Sequence, residues 1–469
     1  MKQYKTTLFI FRRDLRLPDN TGLNQARHLS KQVIPCFIFD PQQIQPHPYQ
    51  SKPALHFMLQ SLENLQQQLN NANGQLVLAQ GAPETVISQW IQQHKIEAVF
   101  VNRDYTPFSR QRDEKIAKQC QQLGVAFYSV ADALLNEPEQ CLKFDQTPYK
   151  VFTAFYNNAK QRPIALPQPL AAGQFLTVAS TVTLSQFRGD FSYSAAQQGG
   201  RQHALEQLTK LTHCQDYAEK RDFPADNSTS HLSAYLKFGS CSIREAYYQV
   251  FETLGSEHPL IRQFYWRDFL THLAYHFPFV FGQSFLPAFA DLLWENNPSF
   301  FQRWTTGNTG FPIVDAGMRE LNATGFMHNR VRMIVASFLV KDLHIDWRWG
   351  ERYFAQKLVD YDPCLNNGNW QWAASTGCDA QPYFRIFNPW LQQQKFDPAG
   401  VYIYRWLPEL KGISLKAVHQ WDKKHVPCDY PAPLVSHPLQ SQRAKAFFKQ
   451  AQLAYQFRRE TLNNEDFEL

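Results

Sequence analysis

The segment Asp360-Tyr-Asp-Pro-Cys-Leu-Asn-Asn-Gly-Asn-Trp-Gln-Trp372 concentrates unusual chemistry. It holds the acids Asp360 and Asp362, the amides Asn366, Asn367 and Asn369, and the indoles Trp370 and Trp372. Such groups are costly to bury, because each donor or acceptor then needs a partner. Asn366-Asn-Gly-Asn369 reads as a polar turn that permits close backbone approach. Two more segments share this character: His328-Asn-Arg-Val-Arg-Met333 and Tyr265-Trp-Arg-Asp-Phe269. Amides, arginines and indoles together suit a flat, heteroaromatic, phosphate-bearing ligand better than an unexceptional helical core.

Other chemistries find little support. His272 and His276 stand four apart on a helical pattern, but Leu273 occupies the place of the metalloprotease glutamate and no third ligand presents itself. A structural role follows for both, and no metal site is expected. There is no G-x-S-x-G. The eight cysteines form no C-x-x-C and no zinc spacing, which fits a reduced, cytoplasmic protein. The apolar run Leu8–Phe11 meets Arg12, Arg13 and Asp14 at once, unlike a secretory leader. No apolar stretch approaches a membrane span, so no membrane partner is expected.

The elements that must position these groups divide the chain. At 469 residues it exceeds what a single hydrophobic core organises. Its composition, 44% hydrophobic and 19% charged, is ordinary for a globular protein, whereas 14% aromatic is high. The net charge of +6 is compatible with a nucleic-acid partner but does not locate its surface. Residues 1–200 carry 19 basic and 14 acidic side chains, so most of the excess lies there.

The first third alternates apolar runs with helical patterns. Thr6–Phe11, Val33–Phe39, Gln75–Ala79, Ala98–Val101 and Ala126–Ser129 read as strands; 52–73, 83–94 and 109–123 read as helices. This is the pattern of an α/β domain with a doubly wound parallel sheet. The turn after the first strand, Arg12-Arg-Asp-Leu-Arg16, has neither a dinucleotide fingerprint nor a P-loop. Residues 160–200 lack periodicity and hold seven Pro and Gly, which predicts a long connection. From 201 the pattern is helical, including 242–254, 260–276, 315–324, 331–342, 350–358 and 440–459, with a capping box at Ser242 and Glu245. The expected division is 1–135 α/β, 136–200 connection and 201–469 a larger all-α domain.

The order and spacing of several motifs over nearly the whole chain resemble the DNA photolyase/cryptochrome family, most closely class I cyclobutane pyrimidine dimer photolyases. They are Phe11-Arg-Arg-Asp-Leu-Arg-Leu-Pro-Asp-Asn20, Thr229-Ser-His-Leu-Ser233, Trp266-Arg-Asp-Phe269, Thr309–Met318, Gly325–Met333, Asp346-Trp347 and Asp360–Phe387. The resemblance implies FAD in the helical domain and an antenna role for the α/β domain. It places Tyr217, Thr229, Ser230, Leu232 and Ser233 on the ribityl and diphosphate, and Arg267 beside the flavin. It pairs Asp360 with Arg332 near the isoalloxazine, puts Asp362 on the flavin, and faces Asn366 to flavin N5. A neutral Asn there does not oppose a fully reduced anionic flavin.

The implied substrate is damaged DNA, with a pyrimidine dimer flipped from the duplex. Trp266 and Trp372 match the indoles that wedge the dimer, Asn329 and Met333 its base contacts, and Arg221 and Arg330 its phosphate contacts. Trp370, Trp347 and Trp294 match the family's electron path from flavin to surface; core packing is the alternative for each indole. Trp304, Trp349, Trp390, Trp406 and Trp421 are expected to pack.

Two departures stand out. Gln263 replaces the usual Glu that hydrogen-bonds the dimer, which loses a charge and adds donors. Phe108-Ser109 and Val280-Phe281 replace pairs found in folate-binding members, so an antenna chromophore could be deazaflavin, flavin or folate, with the usual folate mode disfavoured. The resemblance implies light-driven repair of cyclobutane dimers by a monomer. The rivals are a (6-4) photolyase, which carries histidines where Asn329 and Met333 stand, and a cryptochrome-like photosensor, which often has a longer C-terminal tail.

Overall fold

The computed structural model describes residues 2–189, 195–226, 228–423 and 426–465; residues 190–194 of the expected connection lie outside this set. The chain forms two compact units, neither contiguous in sequence. The first comprises residues 1–217, 229–278 and 359–362; the second comprises 218–228, 279–358 and 363–469.

The first unit contains the parallel sheet. Its strands are β1 (Tyr4–Phe11), β2 (Ser30–Phe39), β3 (Val77–Gln80), β4 (Ala98–Asn102) and β5 (Ala126–Val130), in the order β3-β2-β1-β4-β5. A two-residue strand, β6 (Gln174–Phe175), also pairs with β2. The runs of β1 to β4 are largely buried, as expected where both sheet faces are covered and continuous apolar sequence is favoured, whereas β5 is only partly buried. Leu8, Ile10, Ile34, Val99 and Val101 are buried in one core with Ile87, Trp90 and Ile91 of the helix Pro83–His94. The strand order reverses between β1 and β4, so Arg12 and Arg13 emerge beside Arg103 and Asp104 at the switch point.

The same unit includes the helix Pro259–His276, opened by Pro259 in its first turn. Ser242 and Glu245 form the expected capping box at the start of Ile243–Leu254, with side-chain to backbone distances of 2.9 and 2.8 Å. The connection also contains a helix that its sequence does not announce, Phe152–Ala159, which buries Phe152, Phe155 and Ala159 on one face.

The second unit is helical. Its central helix, Asn329–Lys341, buries Val331 and every residue from Ile334 to Lys341. A helix apolar on nearly all sides belongs in the middle of a bundle. Pro312–Thr324, Trp347–Lys357 and Pro363–Ala374 pack around it. The segment read as a polar turn at Asn366–Asn369 lies inside Pro363–Ala374, which corrects the sequence expectation. Asn and Gly are weak helix formers, but burial and side-chain pairing of Asn367 and Gln371 outweigh local preference here. The final helix, His437–Glu465, brings Phe447 and Phe448 against Trp294 at ring distances of 5.5 and 6.0 Å.

Candidate active site

In the first unit, the Thr229–Ser233 motif leads into the short helix Ser233–Phe238. Gly239 ends that helix at φ +62°, and a Cβ there would lie 2.3 Å from the Arg13 carbonyl oxygen. Only glycine allows this approach, which holds the motif against the exit of β1; Leu15 N–H donates to Phe238 O at 3.0 Å. Thr229, Ser230 and Ser233 present hydroxyls that bond no other described protein group, and Leu232 is buried. Three uncommitted hydroxyls within five residues fit a ligand carrying phosphate and ribityl oxygens. His213 Nε2 meets Thr229 O at 2.8 Å, and the Gln197 amide donates to His231 O at 2.6 Å. Tyr217 is buried, its ring 6.0 Å from that of His258.

Asp362 is also buried in this unit and accepts from Arg13, which simultaneously donates to Asp104 at 3.2 Å. The arginines around Asp104 hold its carboxyl well below the ordinary carboxylate range. Arg13 therefore ties the acidic segment to the end of β4. The Arg12-Arg13 pair is visible in the sequence, but nothing local signals a partner 349 residues away. Asp360 is half-buried.

On the helix Pro259–His276, Arg267 donates to Ala133 O at 2.6 Å, and Asp268 accepts from the N–H groups of Leu135 and Asn136 at 2.9 and 3.1 Å. The Trp-Arg-Asp motif thus clamps the segment that follows β5. Burial pushes the Asp268 carboxyl up to about 7. Trp266 is half-buried and stacks on Phe152 with ring centroids 3.7 Å apart and planes at 8°. Gln263 lies one turn earlier, half-buried. His272 and His276 have rings 4.5 Å apart; no cluster of three metal-ligating side chains occurs among the described residues.

In the second unit, Pro363–Ala374 carries a buried amide network. Asn366 donates from Nδ2 to Glu351 O at 2.9 Å, while its own amide oxygen takes no donor from the described chain. Asn367 donates to Glu351 Oε1 at 3.0 Å and to Val280 O at 2.9 Å. Gln371 donates to Val280 O, Gln283 O and Asn367 Oδ1, each at 3.1 Å, and accepts from Phe285 N–H at 2.8 Å. Burial pushes the Glu351 carboxyl up to about 7, with the Asn367 hydrogen bond opposing. No sequence motif marks Glu351, and Gln371 lies inside the Asp360–Trp372 segment without being singled out.

The indoles Trp370 and Trp347 are fully enclosed, and Trp294 is half-buried. Trp370 sits 4.9 Å from Phe354 and 6.2 Å from Trp304, both edge-on. A Cβ on Gly350 would lie 2.1 Å from Trp370 Cη2, so this glycine lets the helix bearing Trp347 approach the Trp370 ring. Trp347 Nε1 is buried with no hydrogen-bond partner in the described structure. Trp372 is half-buried.

On the central helix, Asn329 and Met333 are brought together, with Asn329 Nδ2 3.7 Å from the Met333 sulfur. Arg330 pairs with Asp222 at 2.8 Å and lies over Phe396 at 4.3 Å. Arg332 donates to Met327 O at 2.8 Å. Arg221 is half-buried. The residues named from sequence thus form two groups. Tyr217, Thr229, Ser230, Leu232, Ser233, Gln263, Trp266, Arg267, Asp360 and Asp362 belong to the first unit; Arg221, Trp294, Asn329, Arg330, Arg332, Met333, Trp347, Asn366, Trp370 and Trp372 belong to the second.

The first unit thus joins a parallel α/β sheet to a run of uncommitted hydroxyls, and the second holds a buried amide network and enclosed indoles. Residues 7–172 match the family model for DNA photolyase, and residues 260–450 match that for the FAD binding domain of DNA photolyase. The chain is 40% identical to the deoxyribodipyrimidine photo-lyase of a Synechococcus strain, over 95% of this chain and 97% of that protein. It resembles the crystal structure of an archaeal photolyase from Sulfolobus tokodaii with two FAD molecules, at 44% identity and TM-score 0.86, covering 95% and 100% of the two chains. It also resembles a class III photolyase from Agrobacterium tumefaciens, at 34% identity and TM-score 0.89, covering 96% and 98%. The chain belongs to the DNA photolyase/cryptochrome family and carries that family's FAD-binding domain.

Proposed function

We propose that the protein repairs cyclobutane pyrimidine dimers in DNA by a light-driven electron transfer to a flipped-out dimer. The observation that carries this reading is Asn366: its amide nitrogen is committed to Glu351 O, which leaves a neutral oxygen to accept a hydrogen bond. Such a group suits a cofactor that must remain reduced. FAD, when bound and fully reduced, supplies the electron that light mobilises.

This chain's residues supply the rest. Tyr217, Thr229, Ser230, Leu232 and Ser233 bind the ribityl and diphosphate. Arg267, Arg332, Asp360 and Asp362 fix the ring system, and Asn366 accepts at N5. Trp266 and Trp372 stack on the dimer, with Asn329 and Met333 against its bases and Gln263 as a hydrogen-bonding side chain. Arg221 and Arg330 contact phosphates; for Arg330 this competes with Asp222. No general acid or base is required, since the reaction splits a ring and returns the electron.

Trp294, Trp347 and Trp370 pass electrons inward from the surface and keep the cofactor reduced. Residues 1–135 serve an antenna role for a deazaflavin, flavin or folate, 136–200 form the connection, and 201–469 bind FAD and DNA. The protein works as a cytoplasmic monomer.

Trp294→Phe tests the reading. Photoreduction of the bound flavin should slow at least tenfold, while repair by chemically reduced protein is spared. Unchanged photoreduction would refute the electron path, and loss of repair in both states would refute the division of labour.

A further inference from the structure

We infer that Arg262 is a phosphate-binding residue for the DNA strand that carries the lesion, held in place by the aromatic face of the helix Phe152–Ala159. This rests on the photolyase reading and adds a contact that the sequence motifs do not mark.

Arg262 stands one helical turn before Trp266, on the same face of Pro259–His276. Its guanidinium carbon lies 5.1 Å from the Phe152 ring centroid and 5.3 Å from that of Tyr156. Phe152 in turn stacks flat on Trp266 at 3.7 Å and on Tyr156 at 5.8 Å. Arginine, two rings and indole therefore form one continuous stack. The arrangement leaves the guanidinium edge, with its N–H donors, available to an oxyanion.

Three features select phosphate as the ligand. Arg262 is exposed, and no carboxylate among the described residues pairs with it. Arg330, the motif arginine expected to touch phosphate, is instead compensated by Asp222 at 2.8 Å. A further cation shares the aromatic edge: the Lys160 ammonium lies 5.2 Å from the Tyr156 ring. Phe152 and Tyr156 also restrict the Arg262 rotamers before DNA arrives, so less entropy is lost when it binds. A flat, charged stack beside a stacking wall would hold the strand while the lesion leaves the duplex. Phe152 is then a positioning residue for both Trp266 and Arg262.

The test is binding of the flavin-loaded full chain, in the dark, to duplexes with and without one cyclobutane dimer over a series of NaCl concentrations. Arg262→Gln should weaken both duplexes severalfold, leave their ratio unchanged, and reduce the slope of log K against log salt by about one. Arg262→Lys should keep most of that slope, because the charge remains. An unchanged slope in Arg262→Gln overturns the proposal, even if thermal stability falls, because that result marks Arg262 as packing alone. If the wild-type chain does not prefer dimer-containing DNA, the photolyase reading itself fails; if it does, and the slope is unchanged, only the Arg262 contact fails.

Discussion

The helices Pro363–Ala374 and Pro259–His276 solve opposite problems. The first buries Asn366, Asn367 and Gln371 and gives each a fixed partner within the second unit. The second leaves Arg262 exposed and Gln263 and Trp266 half-buried, on a helix whose other face is closed by Leu260, Ile261, Phe264 and Phe269 in the first unit. On the proposed function the first helix tunes a cofactor and must not move, so its hydrogen bonds are satisfied inside the protein. The second, on the same proposal, receives DNA and must stay solvated until DNA replaces water. The contrast teaches how residue type follows from role. Neutral amides serve where charge would be costly, and cations and rings serve where a polyanion must dock.

The largest expected effect breaks the buried side. Glu351 is raised to about 7 by burial, from 4.5 in an unfolded chain. A raised carboxyl stabilises the fold fully below the unfolded value and loses that contribution as pH rises through about 7. Its share is on the order of 3 kcal/mol. Glu351→Gln mimics the protonated form, so this part of the pH dependence should vanish. Denaturant unfolding of both proteins between acid and neutral pH would show it. Parallel curves would mean that Glu351 is charged, or solvated, in the native state.

A smaller effect breaks the open side. Trp266→Ala removes a stacking surface worth roughly 1–3 kcal/mol per base. Preference for dimer-containing over undamaged DNA should fall about five- to a hundredfold, with little change in binding to undamaged DNA. Equal loss for both duplexes would assign Trp266 to the core. Phe152, its stacking neighbour, connects this outcome to the Arg262 salt dependence.

How much of this is readable in the sequence follows from the range of the interactions. All five long strands are legible: β1 to β4 because parallel strands buried on both faces are nearly continuous apolar runs, and the less buried β5 because Ala126–Val130 is rich in aromatic and β-branched residues. The helix over Pro259–His276 and the capping box at Ser242 are legible because their signals are local. The helix over Pro363–Ala374 is not, since Asn-Asn-Gly-Asn reads as a turn until Glu351, Val280 and Gln283 supply partners from elsewhere. The residue types of the site are legible as chemistry. The stack of Phe152 on Trp266 and the bond from Arg13 to Asp362 join residues 114 and 349 positions apart, and no periodicity reports such distances.

The central claim is tested most directly by illuminating the chemically reduced, flavin-loaded protein with two oligonucleotides, one bearing a cyclobutane dimer and one a (6-4) photoproduct. The proposed function predicts light-dependent restoration of the cyclobutane dimer alone, and no restoration in the dark, with Asn329 and Met333 standing where (6-4) enzymes are expected to carry histidines. Repair of the (6-4) product alone would contradict the lesion assignment, and repair of neither would contradict the enzyme and favour a photosensor.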